Sequence, residues 1–560
     1  LSTVVSEDLE LVTSQSESPS TYDTLFKPRH PFAKQMIPEW NRTFTSHIPY
    51  LEDTQKILTD MATYHTQIET HKGCIMDADN YKFVMDAWDA AKNDDSFMER
   101  YSYIDWQILE YLNHSSSFLQ GLSMIHLLSP LFSLFLPFLF LLIPFLLLKF
   151  NKAPITFGSY IEMLKIIARN HFIGKALMSM QDGISIDKVV YLLMIFVFYG
   201  LQMYQNINAC SRFYRNVKYV NTSLHDLKNY IDASIHKMET FATMHHSKAT
   251  YSTFCKTTIN HINVLRTFAE ELATIQPFGN YVGKITEIGY MMKCFYHFHK
   301  NPHYDTSLRY SFGFEGYIDN LRGIHENICE GRVNYAGFSN TKKTKLVEQY
   351  YPALAHESSI VKNTCKFDKN MIVSAPNAAG KTTLLKTTTI NIIVSQQVGC
   401  GFYASSVVRP YTHIHSYLNI PDTSGRDSLF QAESRRCKEI ITLVKENPAD
   451  VSRHFCIFDE LYSGTNPTEA GKSAYAFLKY LSTYRHVDFM LTTHYVYVCK
   501  KFKKSKKIAN YKMGVIDLAN GEFQFTYTLE PGISEIQGAI KILKEMDYPA
   551  EMIQHIEGCK

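Results

Sequence analysis

The stretch Ala375-Pro376-Asn377-Ala378-Ala379-Gly380-Lys381-Thr382 has the residue types and spacing of a phosphate cradle. In the pattern G-x-x-x-x-G-K-[ST], loop N–H groups converge on phosphate oxygens at a helix N-terminus, the lysine neutralises charge, and the hydroxyl ligates Mg²⁺. Gly380, Lys381 and Thr382 fill the last three positions, and Thr383 continues into the helix. Ala375 stands where the first glycine belongs, a replacement that works if the backbone there keeps φ negative. An expected strand, Met371 to Ser374, precedes the stretch and an expected helix, Thr382 to about Ser395, follows it, as the motif requires. A chance A-x-x-x-x-G-K-T ahead of a helix would read the same, so the residues downstream matter.

In RHFCIFDELYSGTNP, the apolar run Phe455 to Phe458 leads into Asp459 and Glu460. A strand ending in two acids suits ATP chemistry: the first acid holds the Mg²⁺ shell and the second polarises the attacking water. In HVDFMLTTHY, His494 ends another expected strand, where it can sense the γ-phosphate; a lone histidine there would more often be structural. The expected catalytic residues are Lys381, Glu460 and His494. The expected nucleotide-binding residues are Pro376, Asn377, Ala378, Ala379, Gly380, Lys381, Thr382 and Thr383, and Thr382 with Asp459 would hold the metal.

These residues need a scaffold that presents several strand ends on one side. From about 346 to 560, short β-rich runs alternate with helical segments, which predicts βαβ units and a largely parallel sheet. Asn520-Gly521 between alternating runs predicts a hairpin near its end. Residues 205–345 carry long helical patterns of mixed charge, expected to form lever-like helices or a bundle. Residues 31–121 also read as helical, with Leu51, Ile57, Leu58 and Met61, then Phe97, Tyr101, Ile104, Leu109 and Leu112, near helical spacing. Residues 1–30 are polar and rich in Ser and Thr, and read as a mobile tail without a packed core. No basic-then-apolar-then-small pattern opens the chain, so no cleavable secretion signal is expected.

Residues 122–204 form an apolar region with a connector. Leu122 to Leu148 contains no Asp, Glu, Lys or Arg and exceeds the ~20 residues that cross a bilayer as a helix. Pro130, Pro137 and Pro144 predict a kinked segment, either one tilted helix or a tight hairpin. A second run, Val189 to Tyr204, follows an amphipathic stretch around Ile161 to Met180. Both runs suit a membrane; a hydrophobic core or dimer interface is the competing reading. The basic connector would favour the cytosolic side, in conflict with a cytosolic ATPase if both runs span, so a re-entrant or interfacial run is expected.

Taken together, the motifs resemble the ATPase domain of the MutS family of DNA mismatch repair proteins. The resemblance lies in Pro376-Asn377 and Gly380-Lys381-Thr382, in Asp459, Glu460, Gly464 and Thr465, and in Thr493-His494-Tyr495. Between them, Ser428, Phe430 and Glu433 match the family's S-x-F-x-x-E segment. The resemblance implies an α/β P-loop NTPase of ABC-like type, C-terminal to a mainly α-helical core and lever region with apolar membrane-type helices. It implies ATP with Mg²⁺, hydrolysis, duplex DNA (possibly mismatched) as ligand, and a homodimer in which Ser428 completes the nucleotide site of the opposite subunit. It also implies that the closing GAIKILKEMDYPAEMIQHI supports the dimer. No segment ahead of the helices resembles a mismatch-reading domain, and Phe268-Ala269-Glu270 falls within a helical pattern, where packing is the better reading.

The leading expectation is an ATPase that couples nucleotide turnover to DNA binding in mismatch repair or damage sensing. The alternative is a membrane-anchored ATP-driven machine acting on lipid or a protein partner; either would be intracellular, with its ATPase on the cytosolic side. Bulk charge does not discriminate, since 57 Lys and Arg oppose 54 Asp and Glu. The 11 scattered Cys predict free thiols, without C-x-x-C pairs or metal-ligand spacing. Lys500 to Lys507, KKFKKSKK, reads as a solvated loop or as a contact for nucleic-acid or lipid phosphates.

Overall fold

The computed structural model describes residues 1–14, 18–71, 73–150, 156–170, 186–279, 284–355, 360–418, 420, 428–517, 523–536, 543–544, 546–558. The chain forms two compact units. One comprises residues 1–72, 237–260 and 310–560, and the other residues 73–236 and 261–309.

The first unit begins with helices α1 (Thr3–Asp8), α2 (Thr21–Phe26), α3 (Pro31–Trp40) and α4 (Ile48–Glu69). The expectation of an unpacked tail over residues 1–30 is corrected here: Val5, Leu9, Leu11, Tyr22, Leu25 and Phe26 are fully buried. Sparse apolar residues suffice because polar groups also hold this segment to the rest of the unit. Glu10 pairs with Lys386 at 2.8 Å, Asp8 accepts a hydrogen bond from Ser416, and the Tyr22 hydroxyl donates to Gln397. In α4 the expected positions Leu51, Ile57, Leu58 and Met61 are all fully buried, as one apolar stripe on a helix requires.

The second unit contains α5 (Ala78–Lys92), α6 (Phe97–Arg100), α7 (Ser116–Phe150) and α8 (Phe157–Asn170). It shares α9 (Ile186–His245), α10 (Ser252–Leu272) and α12 (Pro302–Cys329) with the first unit, and α11 (Lys284–Lys300) is its own. The helical pattern expected from Phe97 to Leu112 breaks after Arg100. Asn113, fully buried, clamps both the N–H and the carbonyl of Ile104 at 3.0 and 2.8 Å and holds that backbone out of a helix. Phe268 stacks on Tyr304 with 4.4 Å between ring centroids, in line with the packing role expected of it. The first apolar run is one continuous helix through Pro130, Pro137 and Pro144, not a hairpin within itself.

The remaining strands and helices all belong to the first unit. A five-stranded sheet of order β3-β2-β6-β1-β5 comprises β1 (Asn334–Phe338), β2 (Lys345–Gln349), β3 (Asn363–Lys366), β5 (Cys400–Gly401) and β6 (Ser405–Val408). A six-stranded sheet of order β11-β10-β4-β9-β8-β7 comprises β4 (Asn370–Ser374), β7 (His413–Tyr417), β8 (His454–Asp459), β9 (Val487–Thr493), β10 (Ile508–Asp517) and β11 (Phe523–Pro531). Its strands β10, β4, β9, β8 and β7 run parallel, and β11 closes one edge antiparallel to β10. Strands β4 and β9 are buried along their whole length, which is why each has a central apolar run, Met371 to Val373 and Phe489 to Leu491, without polar alternation. The intervening helices are α13 (Lys381–Val398), α14 (Leu429–Glu446), α15 (Pro467–Leu481) and α16 (Val496–Phe502); α17 (Ala550–Gly558) closes the chain. The Asn520-Gly521 turn itself lies outside the described residues, but the two strands it would join do pair.

Candidate nucleotide site

Strands β4, β8 and β9 are neighbours, so their C-terminal ends lie together, where open parallel sheets place ligands. The loop after β4 turns through Ala378 (φ 63°) and Gly380 (φ 83°) into α13. Gly380 is required twice over. Its φ is left-handed, and an added Cβ would come within 3.0 Å of the Tyr527 ring on β11.

Lys381 is buried, and its amine donates to the carbonyls of Ala375 (2.8 Å) and Pro376 (3.3 Å) and to the Asn377 side chain (3.4 Å). It also lies 3.5 Å from Glu460 Oε1. The Thr382 hydroxyl donates to Asp459 Oδ2 at 2.7 Å, and Thr492 on β9 donates to the other carboxylate oxygen. Asp459 is thereby held from both sides. His494 Nδ1 lies 3.1 Å from Glu460 Oε1. The His494 contact, aided by the Lys381 charge and opposed by burial, holds the Glu460 carboxyl below the usual carboxylate range.

Glu460 and Tyr462 both adopt left-handed backbone angles, φ 50° and 61°. Such angles cost non-glycine residues on the order of 1–3 kcal/mol each and persist only where surrounding contacts enforce them. The contacts are visible. The Glu460 N–H donates to the Thr492 carbonyl and that of Tyr462 to the Tyr417 hydroxyl. Buried Glu433 accepts from the N–H and hydroxyl of Ser463 and from the N–H of Gly464. Gly464 fits so closely on the start of α14 that a Cβ would lie 2.7 Å from the Phe430 nitrogen. Ser428 caps α14 in a reciprocal capping box with Gln431.

A cavity of about 720 Å³ opens over this cluster, within the range of small-molecule sites. It is lined by Asn377 to Thr383, Asp459 and Glu460. Pro376, His494 and Ser428 do not line it: Pro376 contributes its carbonyl to Lys381, His494 stands behind Glu460, and Ser428 is exposed at its helix cap. The cavity also takes in Tyr350, Tyr351, Val361, Asn363, Met513 and Tyr527, none of which belongs to a recognised motif. Asn363 bonds the carbonyl of Tyr527 and the N–H of Leu529, tying β3 to β11 across the cavity wall.

Residues 371–559 match the family model described as MutS domain V. Over these residues the chain is similar to the ATPase part of the MutS family. Similar proteins include Endonuclease MutS2 of Lactococcus lactis subsp. cremoris (strain SK11), 26% identical over 262 residues, covering 46% of this chain and 33% of that protein. Another is DNA mismatch repair protein MutS of Staphylococcus aureus (strain JH9), 24% identical over 249 residues, covering 43% of this chain and 28% of that protein. The matched part thus spans about a third of the length of these relatives. The part that matches MutS domain V contains the loop and strand ends on which Lys381, Thr382, Asp459 and Glu460 meet. Among the described residues no cluster of three or more His, Cys, Asp or Glu is placed to hold a metal, and all ten described cysteines are free.

Proposed function

We propose that the chain is an ATP hydrolase that couples nucleotide binding and turnover to DNA binding. The observation that carries this reading is the meeting of Lys381, Thr382, Asp459 and Glu460 on one cavity wall. The buried ammonium of Lys381 and the loop amides bind phosphate oxygens. The hard oxygen ligands of Thr382 and Asp459 fit Mg²⁺, which supplies charge neutralisation when bound. Glu460, kept ionised by its neighbours, polarises the attacking water, and His494, bonded to Glu460, reports phosphate occupancy to it.

In this reading residues 346–560 form the ATPase domain with C-terminal dimerisation helices, and 205–345 form the lever and clamp. Exposed Ser428 reaches the nucleotide of a second copy, so the active unit is a dimer. Its placement outside its own cavity supports that assignment. Duplex DNA is the proposed ligand by analogy with relatives named for endonuclease activity and DNA mismatch repair.

The test is retention of the detergent-solubilised full chain on matched and mismatched duplexes, with and without ATP, across a salt series. Binding that ATP modulates and that falls linearly with log salt is expected. Absence of retention at low salt would remove DNA from the account. A preference for mismatches would add a recognition function.

A further inference from the structure

Among the described residues two helices, α7 and α9, contain stretches long and apolar enough to cross a membrane. They are not independent. Tyr199 OH donates to the Ser133 carbonyl at 2.9 Å, Asn206 donates to the Ser133 hydroxyl, Cys210 Sγ meets the Leu127 carbonyl, and His126 stacks on Phe213. As α7 residues fall from 133 to 126, their α9 partners rise from 199 to 213, so the helices pair antiparallel.

Burial changes at one level on both helices. Leu119 and Ser123 on α7 are buried, as are Phe213, Val217 and Val220 on α9. Beyond that level Ile125, Leu131 and Phe132 face outward on α7, and Ile207, Phe198, Phe196 and Leu193 on α9, each at least half exposed. Ser133, Asn206 and Cys210 put polar groups in the seam, and the outward residues of α9 from 189 to 201 are apolar, with exposed Gln202, Gln205 and Asn208 following toward the base, the reverse of a water-facing helix pair over the apolar part. No Asp, Glu, Lys or Arg occurs from 115 to 148 or from 189 to 211. At ~1.5 Å per residue the second stretch rises about 34 Å, close to the ~30 Å hydrocarbon thickness of a bilayer.

The prolines discriminate further. A proline deprives the carbonyl four residues earlier of its helical donor. For Pro130 that carbonyl belongs to His126, and Ser129 Oγ donates to it at 2.9 Å. For Pro137 it belongs to Ser133, and Tyr199 OH supplies the donor. Water would solvate such carbonyls without assistance, whereas hydrocarbon requires a protein donor for each.

We infer that α7 and the first part of α9 form a membrane-spanning hairpin whose outward apolar faces contact lipid acyl chains, with residues 156–170 emerging on the far side, in place of the re-entrant or interfacial run expected from the basic connector. Arg212, Arg215 and Lys218, exposed at the base, sit at headgroup level. The inference rests on the second unit alone and is independent of the proposed ATPase chemistry.

The full chain is reconstituted into sealed phosphatidylcholine–phosphatidylglycerol vesicles and washed with alkaline carbonate. Gly158→Cys, at an exposed position with open space around it, is then probed with a membrane-impermeant maleimide. Thr222→Cys in the same chain, exposed on α9 just past the base within the second unit, marks vesicles whose base side faces outward. Retention after carbonate, with position 158 unlabelled in those vesicles until detergent is added, is expected. Release by carbonate would overturn the inference, as would carbonate-resistant protein labelled at 158 before detergent. Phe157→Cys, equally exposed, gives the same readout if Gly158→Cys folds poorly.

Discussion

Strands β4, β8 and β9 and helices α7 and α9 are written in the same apolar vocabulary and end in opposite surroundings. The strands are buried on both faces up to Asp459 at the end of β8, while Leu193, Phe196 and Phe198 on α9 stand open. The difference lies in where backbone polar groups are satisfied. A strand needs neighbours for its hydrogen bonds, so an apolar strand recruits a sheet and then helices over it. A helix satisfies its own backbone and needs only a medium in which apolar side chains are at ease.

The sharpest break of this comparison is truncation on each side of it. Ile457→Ala in β8, fully buried, is expected to lower stability by about 2–5 kcal/mol, read as a shift in urea midpoint, whereas Leu193→Ala leaves that midpoint unchanged in detergent. An equal loss from both would show that α9 is packed in protein. Next in size, Phe198→Asp, exposed near the middle of the 189–211 stretch, is expected to oppose membrane insertion by about 2.5–3.5 kcal/mol, read as the fraction released by carbonate, without altering ATP binding.

A third test concerns the edge of the parallel sheet, where His415 and His454 are buried and lie 2.9 Å apart across β7 and β8. Burial, reinforced by neighbouring histidines, pushes both well below the ordinary histidine range near 6.5. The unfolded chain therefore binds more protons below that range, and stability falls as pH drops from about 6.5, by at most about 1.4 kcal/mol per pH unit for each histidine. The double variant His415→Gln, His454→Gln is expected to flatten the decline of Tm with acid. The smallest expected effect is Tyr199→Phe, which strips the donor from the Ser133 carbonyl and loosens the hairpin by about 0.6 kcal/mol, measured by helix association in detergent. No change would mean water already reaches that carbonyl.

The site was legible in the sequence wherever one short segment carries both the chemistry and its positioning. Lys381 and Thr382 follow a strand and open a helix, and Asp459 and Glu460 end another strand, so their meeting follows from a parallel sheet. Tyr527 and Asn363 were not legible, because they reach the cavity from β11 and β3 and no spacing rule links either to the loop near 380. Glu433 was recognised through resemblance, but its hold on Ser463 and Gly464 appears only in three dimensions. Residues 1–30 misled for a thermodynamic reason: their few apolar residues cannot form a core alone, yet they complete one that the rest of the first unit supplies. The pairing of α7 with α9 was hidden because Ser133, Tyr199 and Asn206 are single polar residues in apolar runs, a pattern meaningful only in register.

The most direct test of the central claim is ATP binding and steady-state turnover, with Mg²⁺, by the parent chain, Lys381→Ala and Glu460→Gln. The account predicts that Lys381→Ala loses ATP binding. It predicts that Glu460→Gln still binds ATP while turnover falls by about 10²–10⁴-fold. Binding and turnover at parental levels in both variants would contradict the assignment of this cavity as the site of ATP hydrolysis.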